Sequence, residues 1–332
     1  MLNRRTVLAS TVALATPYLA RAQAGKSYKV GAAVYGLKAE FMQLWVSAIK
    51  AHPAVNAGQA TITVFDGQYD ALTQSNQFDT MITQRYDAIV FAPIDAAAGA
   101  DAVRKAKAAG IPVIGSNTRV TGNDLTSYVG SDDVKAGVME AEAIVKAMGG
   151  TGNVVIIEGP IGQSAQIDRG KGNQQVLAAA PGIKVLEHKT ANWSRSEAQS
   201  LMENWLTAHP GQINGLIGQN DEMALGALQA IKASGVDLKS IPVAGIDGVS
   251  DALLAVKASE MISILQDATG QAQGALDVAL RRLAGAGYKP QGALWTEYAG
   301  QLAWNDGMGA EYSVPWTPVT AQNADALLAK RK

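Results

Sequence analysis

The sequence contains no cysteine in 332 residues. Disulfides, thiolate nucleophiles and zinc–thiolate sites are therefore excluded. It has only three histidines, His52, His188 and His209, and they lie in unrelated segments. No H-E-x-x-H and no G-x-S-x-G occurs. Charge of either sign is scarce in net terms: 28 basic against 29 acidic residues leave −1, with no electrostatic footprint for nucleic acid. Apolar residues make up 48% and charged residues 17%, a composition neither disordered nor membranous. The length exceeds what one core usually serves, so two domains are expected.

Other absences narrow the chemistry. The glycines of "EGPIGQSAQIDRGKG" look like a phosphate loop, but Gly162 to Gly170 is too long for G-x-x-x-x-G-K. Gly172 also stands where Ser or Thr is needed. No G-x-G-x-x-G follows the first strand-like run. A basic helix-turn-helix head is missing as well, and in its place stands "MLNRRTVLASTVALATPYLARAQA". This has Arg4 and Arg5, an apolar stretch from Val7 to Ala15 and the A-x-A pattern Ala20-Arg21-Ala22, which together read as a signal peptide over 1–23. The stretch is too short to span a bilayer. Cleavage is expected near Ala22 or Ala24, with export to the periplasm. "NRRTVL" fits the twin-arginine pattern, with the general secretory route as the alternative.

What is present is an alternation. "YKVGAAVYG", "ATITVFDG", "DAIVFAPID" and "IPVIGSN" read as strands, separated by helical spacing over 40–50, 70–84 and 97–109. The pattern restarts with "GNVVIIEGP", a helix near 166–180, "IKVLEHK", a helix near 194–208, "NGLIGQND", a helix over 222–233 and "IPVAGID". Apolar strands alternating with helices predict α/β lobes with doubly wound parallel sheets covered on both faces.

Part of the chain is said twice. Tyr86 to Asn117 and Ile213 to Asp247 each run apolar strand, polar tip, Ala-rich helix, glycine, Ile-Pro-Val strand. Asp95 falls where Asn220 or Asp221 falls, and Asn117 where Asp247 falls. Ligands bind beyond the carboxyl ends of strands in open parallel sheets, so Asp95, Asn117, Asn220 and Asp247 are candidates to face one cleft. They are hydrogen-bonding groups without a tuned base, which makes a binding site rather than a reaction centre. Each alone is equally a helix cap or turn former.

"LTAHPGQINGLIGQNDEMALGALQAIKASG", with its core "QNDEMALGA", closely resembles the periplasmic ribose-binding proteins, the type I sugar-binding components of ABC importers, which are related to the ligand domains of lactose-repressor-like regulators. The resemblance implies two lobes joined by three crossovers in a Venus-flytrap fold: 25–117 plus 267–293 as the N-terminal lobe, 118–266 plus 294–332 as the C-terminal lobe. It implies no cofactor, no metal and no catalysis, but a monomer that captures a monosaccharide and hands it to a membrane permease, with a chemoreceptor as a further candidate partner. It adds contact positions to the strand-tip set: Phe41 as an aromatic face with Lys38 nearby, Arg169, Trp193 and Gln266. Carboxylate and guanidinium groups suit sugar hydroxyls, and aromatic planes suit C–H faces. The first turn, Lys38-Ala39-Glu40-Phe41-Met42, departs from the asparagines and paired aromatics of ribose binders. A polyol, an inositol, a deoxy sugar or another aldose fits as well.

Overall fold

A computed structural model describes residues 27–331. The signal peptide expected over 1–23 lies outside them. The chain runs through Tyr28–Val34 (β1), Glu40–Lys50 (α1), Pro53–Asn56 (α2), Ala60–Asp66 (β2), Ala71–Thr83 (α3), Ala88–Phe91 (β3), Ala96–Ala108 (α4), Val113–Ser116 (β4) and Ser127–Gly130 (β5). It continues with Asp133–Ala147 (α5), Gly152–Glu158 (β6), Ser164–Ala178 (α6), Ile183–Thr190 (β7), Arg195–Ala208 (α7), Gly215–Gly218 (β8), Asp221–Ser234 (α8), Val243–Asp247 (β9), Ser250–Lys257 (α9) and Ile262–Leu265 (β10). Ala268–Ala284 (α10), Leu294–Glu297 (α11), Glu311–Ser313 (β11), Thr317–Pro318 (β12) and Ala324–Ala329 (α12) complete it. No described helix is long and apolar enough to cross a membrane.

Two six-stranded sheets have the orders β11-β5-β4-β3-β1-β2 and β12-β10-β9-β8-β6-β7. Without the edge strands β11 and β12 the orders correspond one to one. All pairings are parallel except β12 on β10. Strands buried on both faces explain the unbroken apolar runs of β3 and β8, where every residue is inaccessible.

The lobes exchange helices. The chain leaves β5 and forms α5, which packs on α6 and on β8, β9 and β10 of the other sheet. It leaves β10 and forms α10, which returns to α1 and to β3, β4 and β5. Two expected boundaries are thereby corrected. The N-terminal lobe does not end at 117, because β5 pairs with β4 from Ile114↔Ser127 to Ser116↔Val129. Nor does the C-terminal lobe resume at 294: α11 packs on α10, and β11 pairs with β5. The third crossover therefore lies between Ser313 and Thr317. Both misplaced pieces are three- or four-residue strands, too short for a hydrophobic period to mark.

Candidate functional site

The strand ends of the two sheets face each other across a cleft, and the cleft is closed. Along one rim, Ala96 N donates to Gly162 O (3.1 Å), Arg119 N to Ser164 Oγ (2.7 Å) and Gln163 Nε2 to Pro93 O (3.0 Å). Along the other, Ser250 at the start of α9 donates through N (3.0 Å) and Oγ (2.5 Å) to Glu40 Oε1, at the start of α1. The tail adds Arg331, which reaches Gly248 O in one lobe and stands 3.6 Å from Glu40 in the other.

Between the rims lies a tightly closed pocket with only about 10 Å3 of free volume. Six of the expected residues line it: Asn117, Arg169, Trp193, Asn220, Asp247 and Gln266. Sequence reading missed Tyr35, Ala39, Thr118, Gln163 and Ala165. Tyr35 follows β1 directly, so the strand-tip rule, applied to the first strand as it was to the repeat, would have found it.

Three expected residues do not line the cavity. Phe41 is buried in the first turn of α1, in one apolar cluster with Met42, Trp45 and the cavity-lining Tyr35 and Trp193. Lys38 is exposed, its ammonium 5.7 Å from the Tyr69 ring centroid. Asp95 uses Oδ1 to cap α4, accepting from Ala98 N at 2.7 Å, and its other oxygen turns toward Gly162 at the rim.

Arg169 organises the C-terminal wall. Its Nε donates to Asp133 (2.9 Å), Nη1 to Gln219 O (2.5 Å) and Nη2 to Gln266 Oε1 (3.4 Å), and Nη1 is 3.9 Å from Asp247 Oδ1. Burial works against this cation, but Asp133 and Asp247 outweigh it and leave its pKa raised. Its guanidinium carbon sits 5.5 Å from the Trp193 ring and 5.8 Å from Trp316, in the third crossover. Trp193 Nε1 donates to Gln163 Oε1 (2.6 Å), the same amide that reaches Pro93 across the rim. A Cβ at Gly159 would fall 2.0 Å from the Trp193 ring, so only glycine lets the indole lie there.

Several groups in this cavity are left unsatisfied by the protein. Gln266 Oε1 accepts from Asn117 Nδ2 (3.1 Å) and from Arg169, while Gln266 Nε2 is buried without a partner. Asp247 is 5% exposed and accepts no side-chain hydrogen bond among the described residues. Burial raises its pKa despite the opposing pull of Arg169. Asn220 caps α8 through Oδ1 (Met223 N, 2.9 Å), which frees its amide nitrogen. Its neighbour Asp221 is structural, accepting from Val249 N (3.0 Å) and Ser263 Oγ (2.9 Å). Three cavity-lining residues have positive φ: Asn117 (65°), Trp193 (60°) and Asp247 (125°), the last two with side chains that rarely adopt it. Donors, an acceptor carboxylate and one aromatic plane around a small void are the complement of a polyhydroxylated molecule.

The family described as periplasmic binding protein domain matches residues 30–287. The chain belongs to that family. Among similar proteins of this family, a xylitol-binding protein of Mycolicibacterium smegmatis is 44% identical over 211 residues, covering 63% of this chain and 60% of its own. The ribose import binding protein of Bacillus subtilis is 35% identical over 70% of this chain and 73% of its own. A solved ABC transporter solute-binding protein from Bacillus halodurans with bound myo-inositol superposes with a TM-score of 0.80 at 31% identity, over 93% of this chain and 99% of that one. The fold expected from the sequence, two parallel-sheet α/β lobes of the periplasmic-binding type, is thus observed directly and in its relatives.

Proposed function

We propose that this chain is the periplasmic solute-binding component of an ABC importer, which captures a monosaccharide or polyol by lobe closure and delivers it to a membrane permease. The observation that carries the reading is the closed cleft lined by Arg169 and Trp193, in which Gln266 Nε2 has no partner and the Asp247 carboxylate accepts no hydrogen bond and has only Arg169 at 3.9 Å. Unpartnered buried polar groups are costly, and ligand hydroxyls would satisfy them. The relatives' printed ligands, xylitol, ribose and myo-inositol, share that chemistry. Export through the signal peptide, by the twin-arginine or general secretory route, belongs to the same reading. So do action as a monomer without catalysis and, as a second docking partner, a chemoreceptor.

Contacts from both lobes make closure and binding one equilibrium. Titration with xylitol, myo-inositol and D-ribose should raise the melting temperature for at least one, since ligand at a hundred times Kd stabilises by about 2.7 kcal/mol. Solution scattering should show the radius of gyration falling with that ligand. No stabilisation by any sugar or polyol would refute the reading.

A further inference from the structure

Of the two aromatic planes expected to flank a ring, Trp193 lines the cavity from the C-terminal lobe and Phe41 does not line it. Tyr35 stands on the N-terminal wall instead. Its ring is buried and held: Tyr69 packs against it with centroids 5.7 Å apart, and Tyr69 N donates to Tyr35 O at 2.7 Å. A Cβ at Gly36 would strike the Tyr69 ring at 2.1 Å, so this pairing depends on the glycine between them. Tyr35 lines the cavity, its hydroxyl is within electrostatic reach of Asp247 and Arg169 from the other lobe, and it makes no hydrogen bond among the described residues. Burial raises its pKa well above that of an ordinary phenol, so it stays a neutral O–H donor.

We propose that Tyr35 is the specificity-determining residue of the N-terminal wall: it donates its hydroxyl to a ligand hydroxyl where a second stacking plane is missing, and thereby favours an acyclic polyol over a flat-faced ring sugar. This rests on the binding role proposed above. A ring sugar between two aromatic planes buries both C–H faces, whereas here one side of the ligand meets a fixed donor. A site built to donate to a ligand hydroxyl discriminates through the donor it leaves unpaired.

The test compares wild type, Tyr35→Phe and Asp247→Ala by calorimetry with xylitol, myo-inositol and D-ribose, and by melting without ligand. Wild type should bind xylitol more tightly than D-ribose. Tyr35→Phe should weaken xylitol binding by about tenfold or more. Its ligand-free melting temperature should be unchanged or higher, because the lost hydroxyl has no partner in the protein. The loss for D-ribose should be smaller. Unchanged xylitol affinity in Tyr35→Phe, an equal loss for both ligands, or a wild-type preference for D-ribose would overturn the proposal. If wild type binds and Asp247→Ala does not, the binding role survives that failure. If wild type binds none of the three, both fall together.

Discussion

In the N-terminal lobe the segment β3–α4–β4 ends its strands at Asp95 and Asn117; in the C-terminal lobe β8–α8–β9 ends them at Asn220 and Asp247, on the same backbone plan. Asp95 and Asn220 both cap the following helix through Oδ1. A capping carboxylate has only acceptors left, but a capping amide keeps a donor, and only Asn220 lines the cavity. Asn117 and Asp247 both sit at positive φ. The Asn117 amide is taken up by Gln266 and Gln271, whereas the Asp247 carboxylate is open to the cavity. Arg169, Asp133 and Glu140 are buried in the α5–α6 layer of the C-terminal lobe; the corresponding α1–α10 layer of the N-terminal lobe buries His52, Gln271 and Asp277, with His52 Nε2 3.2 Å from Asp277 Oδ1. Both lobes bury charge behind the strand tips, but the charged side chains that line the cavity, Arg169 and Asp247, both come from the C-terminal lobe.

The largest expected break in that contrast is Asp247→Ala. Two charge-assisted bonds contribute roughly 1.5–3 kcal/mol each, so affinity should fall by about two to four decades. The ligand-free protein should melt close to wild type, since the carboxylate accepts no hydrogen bond and Arg169, 3.9 Å away, keeps its shorter contact to Asp133. Calorimetry on the folded variant decides; near-normal affinity would move recognition elsewhere.

Next is Glu140→Gln, which tests the charged layer beneath the site. Burial pushes Glu140 up to about 8 against the hydrogen bond from Asn173. Glu140 Oε2 and Asn173 Oδ1 are both buried without a donor, so the protonated acid suits the fold. An acid whose folded pKa is raised stabilises fully below its unfolded value of about 4.3, and that contribution is lost as pH rises toward about 8. Glutamine carries its N–H at every pH. The variant should therefore melt with a shallower decline between about pH 5 and 8 than wild type; parallel curves would contradict the assignment.

Asp95→Ala should cost about 1 kcal/mol through the lost cap, roughly 2–4 °C in melting temperature, and leave affinity alone. A loss of affinity would return Asp95 to the ligand. The smallest effect is expected from Lys38→Asn, which should leave the ranking of xylitol, myo-inositol and D-ribose unchanged in competition binding. Reordering would bring Lys38 into the cleft.

Periodicity and the internal repeat made the sheets and the cleft-facing strand ends legible, because strands buried on both faces leave long apolar runs. Short β5 and β11 left none, so two crossovers were placed by analogy and shifted. Family likeness added Arg169, in the second turn of α6, Trp193, just before α7, and Gln266, which follows β10 directly as Tyr35 follows β1. It also named Phe41, which does not line the closed cavity, beside Met42 in place of the expected second aromatic. Gln163 had no signal at all: its role comes from joining Trp193 to Pro93, which are 100 residues apart.

The guanidinium of Arg169 lies between the indole of Trp193 and that of Trp316. One indole belongs to the ligand cavity and the other to a crossover that must flex when the lobes part. A single fixed charge therefore sits beside two fluorophores, one sensing occupancy and one sensing posture. Loading should change both emissions at once, and replacing either tryptophan with phenylalanine should separate them.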